Sequence, residues 1–355
     1  MNNKSDICFF LPEVAGGGAE RVVCELSAYF SDAGKKVTLM LLQDRRRDYA
    51  VNPNVNIVVL PTANSTIKKK IVRIKAIRKF LRENPECVFI SFLYRTLVYS
   101  LFATFGFKNK WIVSERNNPR VTPTGVANRL IRNIAFGFAD RCVFQTEDAK
   151  KYFSKRIQRK GVVIPNPIPD IVPKRQPNDK HIIINACRFA EQKNLPLLLE
   201  AFSEIHKLHP EYVLELYGDG EARNNLVKLV EIMGLQDFVK MPGFATDIAT
   251  HYRNAEMFVS SSNYEGISNS MLEAMSIGLP VVCTDCPIGG AKMMINNEEN
   301  GMLVPVGNKE ALVKAMLKLI EDRKFADKIA NNAIDACRQY SVERIAYNWL
   351  NEING

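Results

Sequence analysis

The segment NYEGISNSMLE, at residues 263–273, connects an apolar run at 257–259 to an amphipathic run that stops at 278–280. A further apolar run, 281–283, follows immediately. Short apolar runs bounded by turn residues predict buried strands, and the amphipathic run between them predicts a helix. The stretch therefore predicts strand, loop, helix and strand, the repeating unit of a parallel α/β sheet.

Two carboxylates of this segment are expected near one helix terminus. Either Ser268 or Ser270 can cap the helix, which places Glu265 in the loop and Glu273 in the first turns. Open α/β sheets bind ligands at the carboxyl ends of their strands, where the free N–H groups of a helix favour a phosphate. Carboxylates accept hydrogen bonds from sugar hydroxyls, so the pair suggests a nucleotide sugar. A solvated helix glutamate and an ordinary loop charge are the alternative.

Length and composition indicate a globular protein with two domains. The chain has 355 residues, of which 46% are hydrophobic and 24% charged, and a chain of this length usually divides into two cores. No apolar run reaches the ~18 residues of a membrane-spanning helix, and residues 1–6 do not resemble a signal peptide. The eight cysteines are scattered, which suits reduced cytoplasmic thiols, and the lone Cys283–Cys286 pair gives little reason to expect a metal.

Charge separates the two halves of the chain. Residues 1–165 carry 29 Lys or Arg and 13 Asp or Glu, a net charge of +16. Residues 166–355 carry 19 and 25, a net charge of −6. Only the first half is suited to a polyanionic surface.

Strand-like apolar runs recur along the chain at the spacing of doubly wound sheets. Those of the first half lie at 7–11, 37–42, 57–60, 88–91, 111–114 and 141–145. Those of the second lie at 182–184, 213–217, 238–241, 257–260, 281–283 and 302–304, with helices expected at 195–208, 222–233, 247–254, 269–277, 309–321 and 324–338. A proline-rich run between the two series, with Pro165, Pro167, Pro169, Pro173 and Pro177, is the predicted linker.

A glycine-rich junction follows the first predicted strand. Gly16, Gly17 and Gly18 lead into the first helix. Three glycines let a phosphate approach the backbone closely, although Arg21 stands where the dinucleotide fingerprint has its third glycine. A flexible strand-to-helix loop is the alternative.

The segment 66–84 predicts a basic amphipathic helix. Its apolar residues fall at helical spacing, and its cations are Lys68, Lys69, Lys70, Arg73, Lys75, Arg78, Lys79 and Arg82. Such a helix is typical of contact with an anionic membrane surface. A sheet-packing helix with a solvated face explains the apolar spacing equally well.

Polar residues also follow two other predicted strands. Glu115 and Arg116 come after the run at 111–114, where they can contact a ligand, although Arg116 can equally pair with a nearby acid. Arg188 and Lys193 follow the run at 182–184. Two cations at a strand's carboxyl edge can hold a diphosphate and offset the charge that grows on it as it leaves.

Together these motifs resemble those of the retaining glycosyltransferases of family 4, which have the GT-B fold. The motifs are GGGAER (16–21), VIPNPI (163–168), CRFAEQKN (187–194), YGDGE (217–221), PGF (242–244), EGISNSMLE (265–273) and GLPVVCTDCPIGG (278–290). The chain looks most like bacterial members that extend polyprenyl-diphosphate-linked oligosaccharides. The resemblance implies an α/β protein of two doubly wound Rossmann-like domains, 1–167 and 168–340, facing across a cleft. It also implies that a final helix at 341–355 returns to the first domain.

The resemblance assigns a role to each matching residue. Arg188 and Lys193 would grip the donor diphosphate, Glu265 would contact the donor sugar and Glu273 would hold the ribose. The expected donor-binding set is Gly17, Gly18, Arg188, Lys193, Gly243, Phe244, Glu265, Gly266, Ile267, Ser268 and Glu273, of which Arg188, Lys193 and Glu265 are the expected catalytic residues. Many members carry a sugar-contacting His where this chain has Ser114-Glu115-Arg116. The roles of Glu115 and Arg116 as sugar or acceptor contacts therefore stay open.

The expected function is transfer of a hexose or N-acetylhexosamine from a UDP-sugar to a glycan acceptor on polyprenyl diphosphate, in bacterial surface polysaccharide or glycan assembly. Retention of configuration is expected, with no metal and no cofactor. The expected partners are the nucleotide sugar, the lipid-linked acceptor and an anionic membrane, met by Lys69, Lys70, Arg73 and Lys75 on the cytoplasmic inner face of the plasma membrane. No nucleic acid is expected. An epimerase or phosphorylase on the same scaffold and a lipid- or nucleic-acid-binding module are the alternatives.

Overall fold

The computed structural model describes residues 4–45, 47–168, 175, 180–245 and 247–355. It divides into two compact units, Met1–Pro167 together with Val342–Gly355, and Ile168–Ser341. Pro169, Pro173 and Pro177 of the predicted linker lie outside the described residues.

The first unit is built on a parallel sheet of seven strands. They are β1 (Ile7–Leu11), β2 (Val37–Leu41), β3 (Asn56–Val59), β4 (Val88–Phe92), β5 (Trp111–Glu115), β6 (Arg141–Phe144) and β7 (Gly161–Val163). Their order across the sheet is β3-β2-β1-β4-β5-β6-β7. Every residue of β1, β2 and β4 is buried, as expected for continuous apolar runs in a parallel sheet covered on both faces.

Six helices follow these strands. They are α1 (Gly18–Asp32), α2 (Thr66–Glu83), α3 (Tyr94–Ala103), α4 (Val126–Phe138), α5 (Glu147–Lys151) and α6 (Lys155–Arg159). The crossovers through α2, α3 and α4 all run in one direction across the sheet, and the crossover through α1 runs the other way. Because such crossovers are right-handed, α2, α3 and α4 cover one face and α1 covers the other.

The second unit has a parallel sheet of six strands. They are β8 (Ile182–Ala186), β9 (Val213–Tyr217), β10 (Val239–Gly243), β11 (Met257–Ser260), β12 (Val281–Thr284) and β13 (Met302–Val304), in the order β10-β9-β8-β11-β12-β13. Its helices are α7 (Leu195–Leu208), α8 (Arg223–Ile232), α9 (Ile248–Asn254), α10 (Asn269–Ser276), α11 (Gly290–Met294), α12 (Lys309–Glu321) and α13 (Arg323–Cys337). One core cluster joins the strands to α7 and α12. All twelve predicted strands are present, each within two residues of its predicted ends.

The last helix, α14 (Val342–Asn354), belongs to the first unit. Its Trp349 is fully buried and stacks on Phe92 of β4, with 5.6 Å between ring centroids. Ile345 and Ile353 are buried on the same helix, so the apolar spacing of this segment reflects packing onto the first unit. Within the described residues, no helix is both long enough and apolar enough to cross a membrane.

Candidate functional site

The sheet of the second unit reverses its order between β8 and β11, and the predicted site residues follow these two strands. Arg188 and Lys193 follow β8, and Glu265 follows β11. The side chain of Asn185 ties the two strands together by donating from Nδ2 to the Val259 carbonyl at 2.7 Å. Such a reversal opens a crevice at the carboxyl ends of the strands, where open α/β sheets bind ligands.

The loops after β8 and β11 are joined by a set of hydrogen bonds. The Asn263 amide donates to the Gln192 carbonyl at 2.8 Å, and the Ser261 hydroxyl contacts the carbonyls of Lys193 and Asn194 at 3.0 and 2.9 Å. Asn194 adopts a left-handed conformation with φ 46°, which asparagine tolerates better than most residues. These bonds fix the backbone that carries the Lys193 side chain.

Lys193 and Glu265 form an ion pair within this loop pair. Their side chains are 17% and 20% exposed, so both charges are largely removed from water. Burial by itself would lower the pKa of Lys193, but the Glu265 carboxylate and other nearby groups outweigh it and raise the pKa. Lys193 is therefore cationic at any physiological pH. Arg188 differs, because its side chain is exposed and makes no ion pair with the residues that the structure describes.

Helix α10 begins directly after this loop. The Ser268 hydroxyl accepts from the Met271 amide at 3.4 Å, so Ser268 rather than Ser270 caps the helix. Glu273 is only 6% exposed. The alternative of a solvated helix glutamate is therefore wrong for Glu273, which is a buried residue in the second turn of α10.

The Gly266 backbone is held by a close approach from α11. A Cβ atom at Gly290 would collide with the Gly266 carbonyl and approach the Ile267 amide to 3.0 Å. Only glycine at this position leaves the loop where it is. The GG motif at 289–290 thus supports the loop that carries Glu265.

The predicted nucleobase residues lie at the same sheet edge. Gly243 ends β10 with φ +97°, its carbonyl accepts from the Gly218 amide at 2.8 Å, and Phe244 is 43% exposed. Gly218 has φ +126°, and a Cβ there would collide with the Cys187 carbonyl. The carboxyl ends of β8, β9 and β10 are therefore interlocked through the backbone.

In the first unit, Gly17 is the N-cap of α1 and Gly18 is its first residue. The carboxylate of Glu20 folds back against Gly17, where a Cβ would collide with it. Glu20 is 8% exposed. A helix N-terminus attracts anions. At the N-terminus of α1, the Glu20 carboxylate lies beside the predicted phosphate-binding loop.

Glu115 lies at the end of β5 and is bound on both oxygens. Its Oε1 accepts from the amides of Arg116 and Asn117 at 3.1 and 3.2 Å, and its Oε2 lies 3.6 Å from Nη1 of the buried Arg132. Burial raises the pKa of Glu115 to about 7, although Arg132 acts in the opposite direction. Glu115 is thus a carboxyl whose protonation changes near neutral pH.

Arg116 points into the first unit. It donates to Ser114 Oγ at 2.8 Å and to Asn166 Oδ1 at 3.1 Å, and its guanidinium lies over the rings of Phe92 and Trp349. Burial lowers its pKa to about 9. The alternative was that Arg116 pairs with a nearby acid. The acid that acts on it is Glu115, whose charge raises the pKa of Arg116 electrostatically.

The basic helix is present as α2, but one of its predicted membrane residues needs correction. Arg73 is 6% exposed and donates to the carbonyls of Leu42 at 2.6 Å and Pro61 at 3.2 Å. Its guanidinium is engaged inside the first unit and is not part of a membrane-facing set. The exposed cations of α2 include Lys68, Lys70, Lys75, Lys79 and Arg82, with Lys69 partly exposed.

Sequence reasoning missed the residues that hold the site together. Asn185, Ser261 and Asn194 make the hydrogen bonds described above, and none was expected at the site. A signal existed for Asn185, because it interrupts the apolar strand β8 at a fully buried position. Cys283 and Cys286 are buried free thiols, and the described part of the chain holds no group of three or more His, Cys, Asp and Glu side chains arranged for a metal ion.

A solved structure shows which fold this is. The structure of Anabaena HepE in complex with UDP and glucose superposes with a TM-score of 0.87 at 19% identity, covering 99% of this chain and 100% of that one. The fold is GT-B, with two parallel-sheet α/β domains.

Family models then identify the chain. Residues 16–170 match the model Glycosyltransferase Family 4, and residues 169–336 match Glycosyl transferases group 1. The chain therefore belongs to the glycosyltransferases that these two models describe.

Two relatives from Campylobacter jejuni match along the full length. One is the N-acetylgalactosamine-N,N'-diacetylbacillosaminyl-diphospho-undecaprenol 4-alpha-N-acetylgalactosaminyltransferase, 26% identical over 98% of both chains. The other adds the same sugar to GalNAc-alpha-(1->4)-GalNAc-alpha-(1->3)-diNAcBac-PP-undecaprenol and is 24% identical over 97% of both chains.

Proposed function

We propose that this protein is a retaining glycosyltransferase that moves a hexose or N-acetylhexosamine from a UDP-sugar to a glycan acceptor on polyprenyl diphosphate. The observation that carries the proposal is the largely buried Lys193–Glu265 pair at the sheet reversal, with the exposed Arg188 on the same loop. This arrangement offers two cations for a diphosphate and one carboxylate for sugar hydroxyls.

The proposed chemistry follows from these charges. The bond between the sugar's anomeric carbon and the donor phosphate breaks, and its electron pair leaves with the diphosphate. An acceptor hydroxyl oxygen forms the new bond to that carbon, and its proton leaves with the released diphosphate or with water. Arg188 and Lys193 stabilise the growing negative charge, which is the task that a metal ion performs in other enzymes. We therefore propose that transfer requires no metal and no cofactor.

The donor contacts come from the second unit. Glu265 accepts hydrogen bonds from the sugar, Glu273 from the ribose, and the N-terminus of α10 with Gly266, Ile267 and Ser268 faces the phosphates. Gly243 and Phe244 contact the base. UDP is favoured because a structure of the same fold holds UDP with glucose.

The proposed acceptor is lipid-linked. Two full-length relatives are named for acceptors on undecaprenol diphosphate. The exposed lysines of α2 suit an anionic surface, where each Lys or Arg near the surface adds ~1 kcal/mol to binding. We propose on this support that the protein is peripheral to the plasma membrane, on its inner face, and acts in the assembly of a bacterial surface glycan.

A donor screen tests the proposal. Purified protein is incubated with UDP-linked glucose, galactose, N-acetylglucosamine or N-acetylgalactosamine and a polyprenyl-diphosphate-linked glycan, with and without EDTA. Mass spectrometry is expected to show addition of one sugar class, unchanged by EDTA, and NMR an α-linkage from an α-linked donor. Inversion would overturn the retaining mechanism, and loss of activity in EDTA would overturn metal independence. Isomerised donor with no transfer would make the protein an epimerase.

A further inference from the structure

Helix α4 carries a row of exposed apolar side chains along its length. Val126, Leu130, Ile134 and Phe138 are 74%, 59%, 42% and 67% exposed, and they follow one another at intervals of four residues. Residues at this spacing form one ridge on a helix surface. The other side of α4 buries Arg132, Ala135 and Phe136 against the unit. The ridge spans about 18 Å of exposed hydrophobic surface.

Neighbouring elements extend this apolar surface. Phe102 at the end of α3 and Phe105 just beyond it are 60% and 76% exposed. Helix α3 packs between α2 and α4, and Arg78 of α2 donates to the carbonyls of Ala103 and Phe105 at 3.1 and 2.7 Å. Tyr94 at the start of α3 donates to Asn128 of α4 at 2.9 Å. The three helices therefore form one continuous layer on one face of the sheet.

A groove of about 580 Å³ continues the ridge on its other side. It lies between α4 and the segment that leads into α6, and Ile134 and Phe138 of the ridge form one wall. Tyr152, Arg156 and Ile157 also line it. The groove is thus mostly apolar with one cation in its lining.

The charges around this surface are mostly positive. Helices α2, α3, α4 and α6 contain fourteen Lys or Arg and a single acid, Glu83. Arg73 and Arg132 are buried, and most of the others are exposed or partly exposed. Helix α5 has two acids and two lysines and is neutral overall. In the second unit, by contrast, exposed apolar side chains such as Leu208 and Ile232 are scattered over different elements.

We propose that the outer face of α3 and α4 is a membrane-insertion surface, on which α4 lies lengthwise in an anionic leaflet with its ridge among the acyl chains. Amphipathic surfaces of this kind bind by burial of apolar side chains and by attraction of their cations to anionic lipid. The cations of α2 and α6 flank the ridge on both sides. This inference deepens the membrane partner in the proposed function, but binding to vesicles does not depend on the acceptor or the donor.

The first experiment compares matched variants. Leu130→Gln with Ile134→Gln removes two exposed ridge residues, and Leu208→Gln with Ile232→Gln makes the same change on the second unit. With vesicles of phosphatidylglycerol and phosphatidylethanolamine, the ridge variant is expected to bind about tenfold more weakly or worse, because two apolar side chains no longer enter the leaflet. The control variant is expected to bind as the wild type. Equal binding by both variants would overturn the proposal.

The second experiment separates insertion from adsorption and from self-association. Phe138→Trp places an indole on the ridge, while the native Trp111 and Trp349 are buried. Vesicles with brominated acyl chains are expected to quench the new tryptophan strongly and the wild type little. A variant that sediments with vesicles but is not quenched would show adsorption through the cations alone. A ridge variant that only loses dimers in analytical ultracentrifugation would show instead that a second copy covers α4.

A third measurement keeps this inference apart from the proposed function. Transfer to an acceptor dispersed in detergent requires no bilayer, so the ridge variant is expected to keep its rate there and to lose it with acceptor in vesicles. Wild type that binds and inserts but transfers no sugar in either setting would leave the insertion surface in place and reject the proposed function. Loss of the ridge variant's rate in detergent would show that α4 serves catalysis rather than membrane attachment.

Discussion

Lys193 and Glu265 lie 72 positions apart in the chain and form an ion pair in the folded protein. The sequence predicts that each is at the ligand site, because each follows a strand end. It does not predict that they touch, since the pairing depends on β8 and β11 being neighbours and on the hydrogen bonds through Ser261. The opposite charges of the two side chains sum to zero within the pair.

The pair should show coupling in a double-mutant cycle. Lys193→Met leaves the Glu265 carboxylate poorly solvated without its partner, and we expect the free energy of unfolding to fall by about 1–3 kcal/mol. Glu265→Gln is expected to cost less, and the double variant is expected to recover part of the loss. Urea unfolding of the four proteins measures this. Strictly additive changes would show that the two side chains do not interact.

Glu115 predicts a pH dependence of stability. Its pKa rises from 4.5 to about 7 on folding. A carboxyl group with a raised pKa in the folded state contributes most to folding stability at a pH below its pKa in the unfolded chain. This contribution to stability is lost as the pH rises through the pKa of the folded state. Glu115→Gln lacks this loss. As the pH rises from roughly 4.5 to 7, we expect the free energy of unfolding of the variant to increase relative to that of the wild type by up to about 3 kcal/mol. Above pH 7 the difference is expected to stay constant.

Urea unfolding of both proteins across this range checks the prediction, with Glu147→Gln as an exposed control. Because Gln also alters the contact with Arg132, only the change with pH is diagnostic. A constant difference between Glu115→Gln and wild type at every pH would contradict it.

At the scale of elements, the strands could be predicted closely from the sequence and the surface layers could not. Buried parallel strands are continuous apolar runs, so their positions are visible without a structure. Helix α2 shows the limit of this reasoning. Its spacing predicts a helix, but Arg73 is turned inward by carbonyls of distant residues, which no local pattern reveals. The ridge on α4 was equally invisible, because apolar residues at helical spacing are usually expected to face the core.

The close packing of α11 against the Glu265 loop gives a third prediction. Gly290→Ala places a methyl group against the Gly266 carbonyl, and we expect it to cost about 1–3 kcal/mol of stability and to weaken donor binding. Gly137→Ala is the matched control, since nothing lies within 4 Å of its added Cβ inside α4. The free energy of unfolding of the control is expected to increase by up to about 1 kcal/mol, because alanine favours the helix more than glycine does. Thermal unfolding measures both, and equal effects would rule out the clash.

The cations of α2 give a fourth prediction. Changing Lys68, Lys69, Lys70 and Lys75 to Gln is expected to weaken binding to anionic vesicles and to raise the KM for lipid-linked acceptor, with donor affinity unchanged. High salt is expected to weaken wild-type binding in the same direction.

Arg73→Gln alone is expected to lower the free energy of unfolding by about 1–3 kcal/mol, because the buried hydrogen bonds of Arg73 are lost.

The control for this prediction changes four exposed lysines of the second unit, Lys228, Lys314, Lys324 and Lys328, to Gln. This control variant loses four positive charges, as the α2 variant does, and leaves α2 unchanged. If both quadruple variants lose vesicle binding equally, net charge rather than the helix is responsible.

At the scale of the whole molecule, the two halves of the chain differ in net charge. The first half carries +16 and the second −6, and the structure places the amphipathic layer α2–α4 in the first unit and the Lys193–Glu265 site in the second. Fold and family were accessible from the sequence, because they rest on motifs in fixed order, and the donor-binding residues stay a prediction. The identity of the sugar, the acceptor linkage and the membrane face depend on surface shape, which local patterns do not determine.

The central claim, that the sheet reversal of the second unit is the donor-diphosphate site, is tested most directly by Arg188→Ala. The side chain is exposed and unpaired among the described residues, so its loss is expected to leave the melting temperature unchanged, as is Arg338→Ala, an exposed control on the same unit. The rate of sugar transfer to the lipid-linked acceptor is expected to fall by about 10²–10³-fold for Arg188→Ala and to stay at the wild-type value for the control. A folded Arg188→Ala protein that transfers sugar at the wild-type rate would contradict the account.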